Sequence, residues 1–517
     1  MNIQKENICM NKVKTKNIYQ ITLDNDYIVS DVKPDINKII REQGEVLIDE
    51  YKIHKDKIEV KGRVRVVVLY LSDDEEMMIN SVIQYMQFYE NINMPGIDVG
   101  DSIYIKGALE DITINIINSR KISVKVLVNL NSIVDEEISY DTVIDVLDDN
   151  MIQKRNKQLN ITKLVINKKD IYRIKDEIVL QSSKKNINEI LYYNVHMPRC
   201  NTRVGDEKIT LKGDILVFIL YLTEEGEYEC LEKEIPYNGE VDLYEAKEHM
   251  IDDIYVNIME NDITVNPDDD GERRVIDIDV TLNLDIKCYQ DEVKDILEDA
   301  YALDCDMKLD EEEITYETLL LKNNTTFKVE DEIKILDNDI LQVCNSTSSV
   351  KIDEMNIVED GIDIEGVVEV NIIYISNKDS CPINSIKQLI PFNHRIEVNG
   401  IDKDSVFNIK PYVEQVGVIM VSSDIMDVRI SINIDTIIFR KNKEVIVSNI
   451  KEEILDKGIN DKVASMIGYI VKEGDDLWSV GKKFHTTVDM LKKVNQNVDS
   501  SLKKGDKLLI VKSCHRA

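Results

Sequence analysis

Residues able to do chemistry are plentiful in this 517-residue chain, but few are spaced for catalysis. Asn266-Pro-Asp268-Asp-Asp270-Gly271 opens with calcium-loop spacing, yet its twelfth position is Asp277 instead of glutamate and both flanks read as strands, so an acidic hairpin turn is expected. Ser501-Leu-Lys-Lys504 has S-x-x-K spacing without the partner motifs of a serine acyl-enzyme. The six histidines, His54, His196, His249, His394, His485 and His515, are scattered, and the terminal pair Cys514-His515 is too small to make a metal site. No G-x-x-x-x-G-K-[ST] phosphate loop is present. Among 98 aspartates and glutamates no catalytic pair stands out. The expectation is a non-enzymatic protein with no cofactor and no metal. Recognition chemistry is better marked. Trp478 is the only tryptophan, and an indole offers a large apolar anchor with one N–H for a partner acceptor. Trp478, Leu477, Lys472, Lys482 and Lys483 form the candidate partner-binding set, with the lysines steering an acidic partner. Leu477 is also suited to a core position, and Trp478 to filling between two helices.

These residues sit in an ordered run of short elements. Tyr469-Ile-Val471 reads as a first strand, Gly474-Asp475 as its turn, and Asp476-Leu-Trp478 as the start of a helix bearing Leu477, Val480 and Phe484. Thr486-Thr487 can cap a second helix with Val488, Leu491 and Val494 on one face, since a threonine oxygen accepts an orphan backbone N–H there. Asn495 and Asn497 suit the helix exit, Gly505-Asp506 a turn, and Lys507 to Val511 a closing strand. The pattern resembles a LysM module of βααβ order. Two residues depart from it: His485, where such modules often have glycine, and Gly481, where alanine is usual. Glycine inside a helix costs about 1 kcal/mol against alanine.

Upstream, a period near 152 residues repeats. IEVKGRVRVVVLYLSDD from Ile58, ITLKGDILVFILYLTEE from Ile209 and IDIEGVVEVNIIYISNK from Ile362 share Gly62, Gly213 and Gly366, each followed by Tyr70, Tyr221 or Tyr374. Ile36, Ile187 and Ile340 precede the glycines at constant spacing, and the pairs Gln87-Phe88, Pro236-Tyr237 and Pro391-Phe392 follow them. A repeat this long is a whole domain reused. Period-two alternation, as in VIDIDVTLNL from Val275, predicts antiparallel strands with one buried face. The shared glycine predicts a bulge or a close backbone approach, and the shared tyrosine a core edge. Short helical turns are expected at Asp35–Arg41 and Lys294–Ala300.

The fold expectation is therefore mainly β: three repeated antiparallel β-domains, 17–149, 160–304 and 316–450, then a linker at 451–466 and a small module at 467–512. Boundary loops are placed at Asp145–Leu159 and Leu303–Thr315. The polar linker predicts a terminal module that moves with some independence. Net charge is −34, yet Ile467 to Lys512 carries nine lysines against six acidic residues. A basic end on an acidic body favours an acidic partner for the module and disfavours nucleic acid. The first 30 residues lack a continuous apolar segment, and the longest apolar run, Ile215–Leu222, is too short to span a bilayer, so neither export signal nor transmembrane segment is expected. Eight scattered cysteines without a CxxC pair predict reduced thiols.

Three such repeats followed by a LysM module resemble the SipL-type spore coat morphogenetic proteins of clostridia, whose repeats are SPOCS domains. The resemblance implies an adaptor in the mother-cell cytoplasm at the forespore surface. Its LysM module would dock on the coat-basement ATPase, and its β-repeats would meet other coat proteins. The rival expectation is a peptidoglycan-binding protein of cortex or cell wall, or a hydrolase subunit; a phage tail assembly protein fits the threefold repeat less well.

Overall fold

The computed structural model describes residues 2–73, 78–147, 152–335, 340–378, 380–453, 466–495 and 502–511. Asn497, Ser501, Cys514, His515 and most of the expected linker lie outside the described residues.

Alternating sequence becomes strand almost throughout. The first repeat comprises β1 (Ile3–Ile28), β2 (Lys38–His54), β3 (Lys57–Leu71), β4 (Ile79–Asn93), β5 (Ser102–Asn118) and β6 (Lys121–Val146). They form two antiparallel three-stranded sheets, ordered β2-β3-β4 and β1-β6-β5, which face each other across an apolar core. The second repeat reuses this plan with β7 (Ile152–Val179), β8 (Ile187–His196), β9 (Asn201–Gly205), β10 (Lys208–Thr223), β11 (Tyr228–Asp242), β12 (Ile251–Pro267) and β13 (Arg273–Ala302). Here the strand equivalent to β2 is split in two. Pro198 falls in the gap, and a residue without an N–H cannot donate to the ladder with β10, so this edge strand is interrupted there. The third repeat has β14 (Asp306–Lys334), β15 (Ile340–Val358), β16 (Gly361–Ser376), β17 (Ile383–Glu397), β18 (Val406–Ser422) and β19 (Ile425–Glu453).

The shared residues explain the sandwich. Gly62, Gly213 and Gly366 stand directly opposite Phe88, Tyr237 and Phe392 on the next strand. A Cβ on Gly62 would lie 2.4 Å from the Phe88 ring, and one on Gly366 2.3 Å from the Lys351 carbonyl oxygen. The glycine thus clears room for an aromatic ring laid across it, beside a bulge at Asp49 or Asp353 of the other neighbouring strand. Tyr70, Tyr221 and Tyr374 are all buried. The acidic loop is the hairpin turn between β12 and β13, with Gly271 at positive φ.

Two apolar junctions join the repeats. At one, the middle strands β3, β10 and β16 are buried on both faces towards their ends, bringing Leu69, Leu71, Leu220, Leu222 and Ile373 into a common cluster. At the other, the paired strands β1/β6, β7/β13 and β14/β19 run on beyond the sandwiches as three long ribbons. Their apolar faces meet in two layers: Ile8, Leu159, Ile161, Ile296, Ile314 and Ile446, then Val143, Val146, Leu297, Ala300, Val447 and Ile450. Each such isoleucine, leucine or valine taken from water contributes about 1.5–3 kcal/mol. Between the junctions lies a polar layer in which Tyr255 lies between Tyr104 and Tyr412, with ring centroids 6.1 and 6.2 Å apart, beside the 2.6 Å Lys410–Asp253 ion pair.

These ribbons correct several expectations. Neither short helix forms: Lys38–Arg41 belongs to β2, and Lys294–Ala300 to β13. The helix-like spacing of Ile36, Ile39 and Ile40, and of Ile296, Leu297 and Ala300, arises because one-residue bulges at Ile40 and Glu298 shift the phase of an alternating strand. Much of both expected boundary loops is strand as well: β6 runs to Val146, β7 begins at Ile152, and only Leu303–Cys305 separates β13 from β14. β1 begins at Ile3, so the first ribbon takes in residues ahead of 17.

Candidate docking surface

The terminal module consists of β20 (Met466–Ile470), α1 (Leu477–Phe484), α2 (Val488–Val494) and β21 (Lys507–Val511), with β20 and β21 antiparallel. Asp476 starts α1 as a reciprocal cap: its carboxylate accepts from the Ser479 N–H at 2.6 Å, and its own N–H donates to the Ser479 hydroxyl at 2.9 Å. Thr487 caps α2 by accepting from the Met490 N–H at 3.1 Å. Asn495 ties α2 to β21: it donates to the Leu491 and Leu509 carbonyls and accepts from the Leu509 N–H, each at 2.8 Å. Val471, Leu477, Val480, Leu491, Leu508 and Ile510 fill the core.

α1 lies against the free end of the second ribbon. The Trp478 indole N–H donates to Asp299 Oδ2 at 2.8 Å, and Lys482 Nζ meets Asp299 Oδ1 at 2.5 Å, so one carboxylate holds both residues. The Tyr301 ring packs edge-on to Trp478 with centroids 4.9 Å apart, while the Arg155 guanidinium covers the indole at 5.4 Å. Tyr301 donates its hydroxyl to the Thr486 carbonyl at 2.8 Å. Burial, reinforced by the Asp299 charge, pushes the Tyr301 phenol up to about 12, so it remains a donor at neutral pH. The two departures from the LysM pattern both lie here. A Cβ on Gly481 would stand 2.6 Å from the Tyr301 hydroxyl, so glycine is what admits the tyrosine. His485 ends α1 in the left-handed conformation (φ 51°), with Nδ1 3.0 Å from the Ala302 carbonyl and Nε2 3.2 Å from Asp306.

The opposite side of the module faces outward. Lys472 and Lys483 are exposed, and Lys483 lies 5.0 Å over the Tyr469 ring. Asp475 accepts from the Lys472 N–H and the Tyr469 hydroxyl at 2.7 Å each, and these bonds hold its carboxyl below the ordinary range. The five candidate residues therefore part three ways. Leu477 is buried in the module core and is corrected from binder to packing residue. Trp478 and Lys482 are engaged by the chain's own second repeat. Lys472 and Lys483 remain on the free face. Sequence reading missed Asp299, Tyr301 and Arg155 as the other half of the contact; only the unusual Gly481 and His485 signalled it. Among the described residues no cluster of His, Cys, Asp and Glu is set to hold a metal, and no helix is long and apolar enough to cross a membrane.

A threefold β-sandwich repeat with a terminal βααβ module defines the class. The SipL, SPOCS-domain family matches residues 35–117, 186–266 and 339–421, and the LysM domain family matches 469–511. The chain is thus of the SipL type, with three SPOCS domains and a C-terminal LysM domain. No curated protein and no solved structure matches it. The SPOCS matches begin just before or at the second strand of each repeat and end within or at the end of the strand preceding its last, leaving most of the ribbon strands outside. The two domain types fit a sporulation coat-associated, peptidoglycan-binding protein.

Proposed function

We propose that this protein is a non-enzymatic adaptor of spore coat assembly, whose LysM module presents its outward face to a partner at the forespore surface while α1 stays seated on the second ribbon. The observation that carries this reading is the division of the module into two faces. One is satisfied within the chain by Asp299 and Tyr301, and the other leaves Lys472 and Lys483 exposed beside Tyr469 and Asp475. Two accessible ammonium groups steer an acidic protein surface, and the coat-basement ATPase is the proposed partner. The three SPOCS domains add further surfaces for coat proteins on one rigid chain, where several weak contacts gain from effective concentration. The LysM match favours a second reading, in which the turn at Lys472–Asp475 and α2 border a groove for peptidoglycan.

The test offers the full-length chain purified ATPase and purified peptidoglycan in parallel. The adaptor reading expects ATPase capture that Lys472→Glu with Lys483→Glu abolishes, and that Trp478→Ala, which only frees the module, leaves intact. Retention on glycan with no ATPase capture would move the protein to the wall.

A further inference from the structure

Each middle strand faces a one-residue bulge on a neighbour at the same place. The extra residue is Ile40 on β2, Leu191 on β8 and Cys344 on β15. A bulge takes its residue out of the ladder and re-aims the side chain. Ile40 and Leu191 are buried in the cluster joining the repeats, and Cys344 packs against it. On the other neighbouring strand, Ser81, Cys230 and Ser385 hold one equivalent position, opposite Leu69, Leu220 and Ile373. The Ser385 hydroxyl donates to the Ile40 carbonyl, so the third repeat reaches the bulge of the first. The same step round the pseudo-threefold axis takes Cys230 of the second repeat to the bulge of the third, which is Cys344. One junction therefore sets two thiols together where another sets a serine against isoleucine.

We propose that Cys230 and Cys344 are a peroxide-responsive thiol pair whose oxidation to a disulfide covalently joins the second repeat to the third. Both are free and half-buried. Cys344 lines a cleft of about 680 Å³ between these repeats, alongside Asn194, Glu232 and Val416, which gives a small oxidant access. The proximity of the two thiols holds Cys344 below the ordinary thiol range and pushes Cys230 up. Cys344 lines this cleft and Cys230 is not among its lining residues, so the oxidant meets Cys344 first and its thiolate is the attacking one. Its sulfur attacks one oxygen of hydrogen peroxide, the O–O bond breaks, and sulfenic acid and hydroxide result. The hydroxide takes the Cys230 proton to become water. The Cys230 thiolate then attacks Cys344 Sγ, the S–O bond breaks, and the departing hydroxide takes up the proton released when Cys344 ionised. Two thiols and one peroxide give one disulfide and two waters, the peroxide accepting two electrons. Cys381, which packs against the same cluster, is turned elsewhere: its thiol donates to the Ile383 carbonyl at 3.4 Å.

The experiment treats the full-length protein with equimolar hydrogen peroxide, blocks remaining thiols with N-ethylmaleimide, and maps peptides without reduction. A Cys230–Cys344 peptide is expected as the main crosslink, removed by dithiothreitol, together with a higher thermal midpoint for the oxidised protein. Cys230→Ser installs the residue that the other two junctions already carry, so this variant folds; it should yield no linked peptide, stop Cys344 at sulfenic acid with one equivalent of peroxide, and carry it on to sulfinic acid only when a second equivalent is added. A main crosslink through Cys381, a crosslink between two chains, or maleimide labelling of Cys230 after peroxide treatment would overturn the proposal.

Discussion

The ends of the second and third ribbons have the same backbone and opposite chemistry. Each carries a bulge one residue before the critical position, at Glu298 and at Ser448, which aims the following residues outward. The second ribbon then presents Asp299 and Tyr301, where the third presents Asn449 and Lys451. On the third, those side chains turn inward on their own ribbon: Lys451 pairs with Asp310 at 2.7 Å, and Asn449 donates to the same carboxylate at 3.4 Å. The first ribbon has Asp145 and Leu147, but Lys154 takes up the aspartate at 2.5 Å and Leu147 offers no hydroxyl. A charged acceptor that takes no side-chain partner from its own strand pair, only the Ala300 N–H at 2.9 Å, next to an aromatic donor, is what selects one of three similar ends as the seat for the LysM module.

Copying the third end onto the second should break the contrast most strongly. Asp299→Asn with Tyr301→Lys removes a charge-assisted pair of bonds, an aromatic contact and a buried donor, at a cost of about 3 kcal/mol or roughly 100-fold in the docked fraction. Because Trp478 is the sole tryptophan, its fluorescence reports docking directly. A shift of its emission to longer wavelength is expected, and an unchanged spectrum would show that the two ends are not distinguished in this way. Gly481→Ala comes next, and it acts in two directions. It should strengthen α1 by about 1 kcal/mol in propensity, yet its methyl group lands on the Tyr301 hydroxyl, so docking falls by about tenfold. Adding Tyr301→Phe should restore part of that loss, which a double-mutant cycle on Trp478 emission would detect. Tyr301→Phe alone leaves the Thr486 carbonyl without its donor and should weaken docking by about 1 kcal/mol, roughly fivefold.

The smallest effect is that of pH. The docked phenol is held at about 12, above its ordinary value of 10, so the docked state binds the proton more tightly than the free one. Its contribution is complete below pH 10 and is lost as pH rises from 10 towards about 12. Trp478 emission followed across that window should redden with rising pH in the native chain and much less in Tyr301→Phe.

Regular alternation made the strands, the threefold repeat and the order of the LysM elements readable in the sequence. Gly62 and its equivalents were readable as points of close approach, because glycine inside a strand has few other uses. The bulges hid the rest. At Ile40 and Glu298 a single extra residue turns a two-residue rhythm into a helical one, and those are the two places where helix was expected and strand is found. The junction between repeats had a signal in the unbroken apolar runs Val66–Leu71 and Ile215–Leu222, since a strand buried on both faces loses its polar alternation. The seat of the LysM module was out of reach, because Asp299 is one acidic residue among 98 and gains meaning only from its distance to Trp478. Leu477 could be placed in the core by helical spacing; that Lys482 and the adjacent Lys483 face opposite fates could not.

The ribbons also bear on how the protein is made. The pairing of β14 with β19 runs from Lys334–Ile425 out to Asp306–Glu453, and the layer containing Ile8 also needs Ile446. A chain emerging from the ribosome therefore carries the apolar faces of its first two ribbons uncovered until nearly the last strand has been synthesised. Such non-local closure folds slowly and leaves sticky intermediates. Truncation ahead of β19 would accordingly yield an aggregating product instead of a smaller soluble one, and closure of the three ribbons precedes the seating of the LysM module.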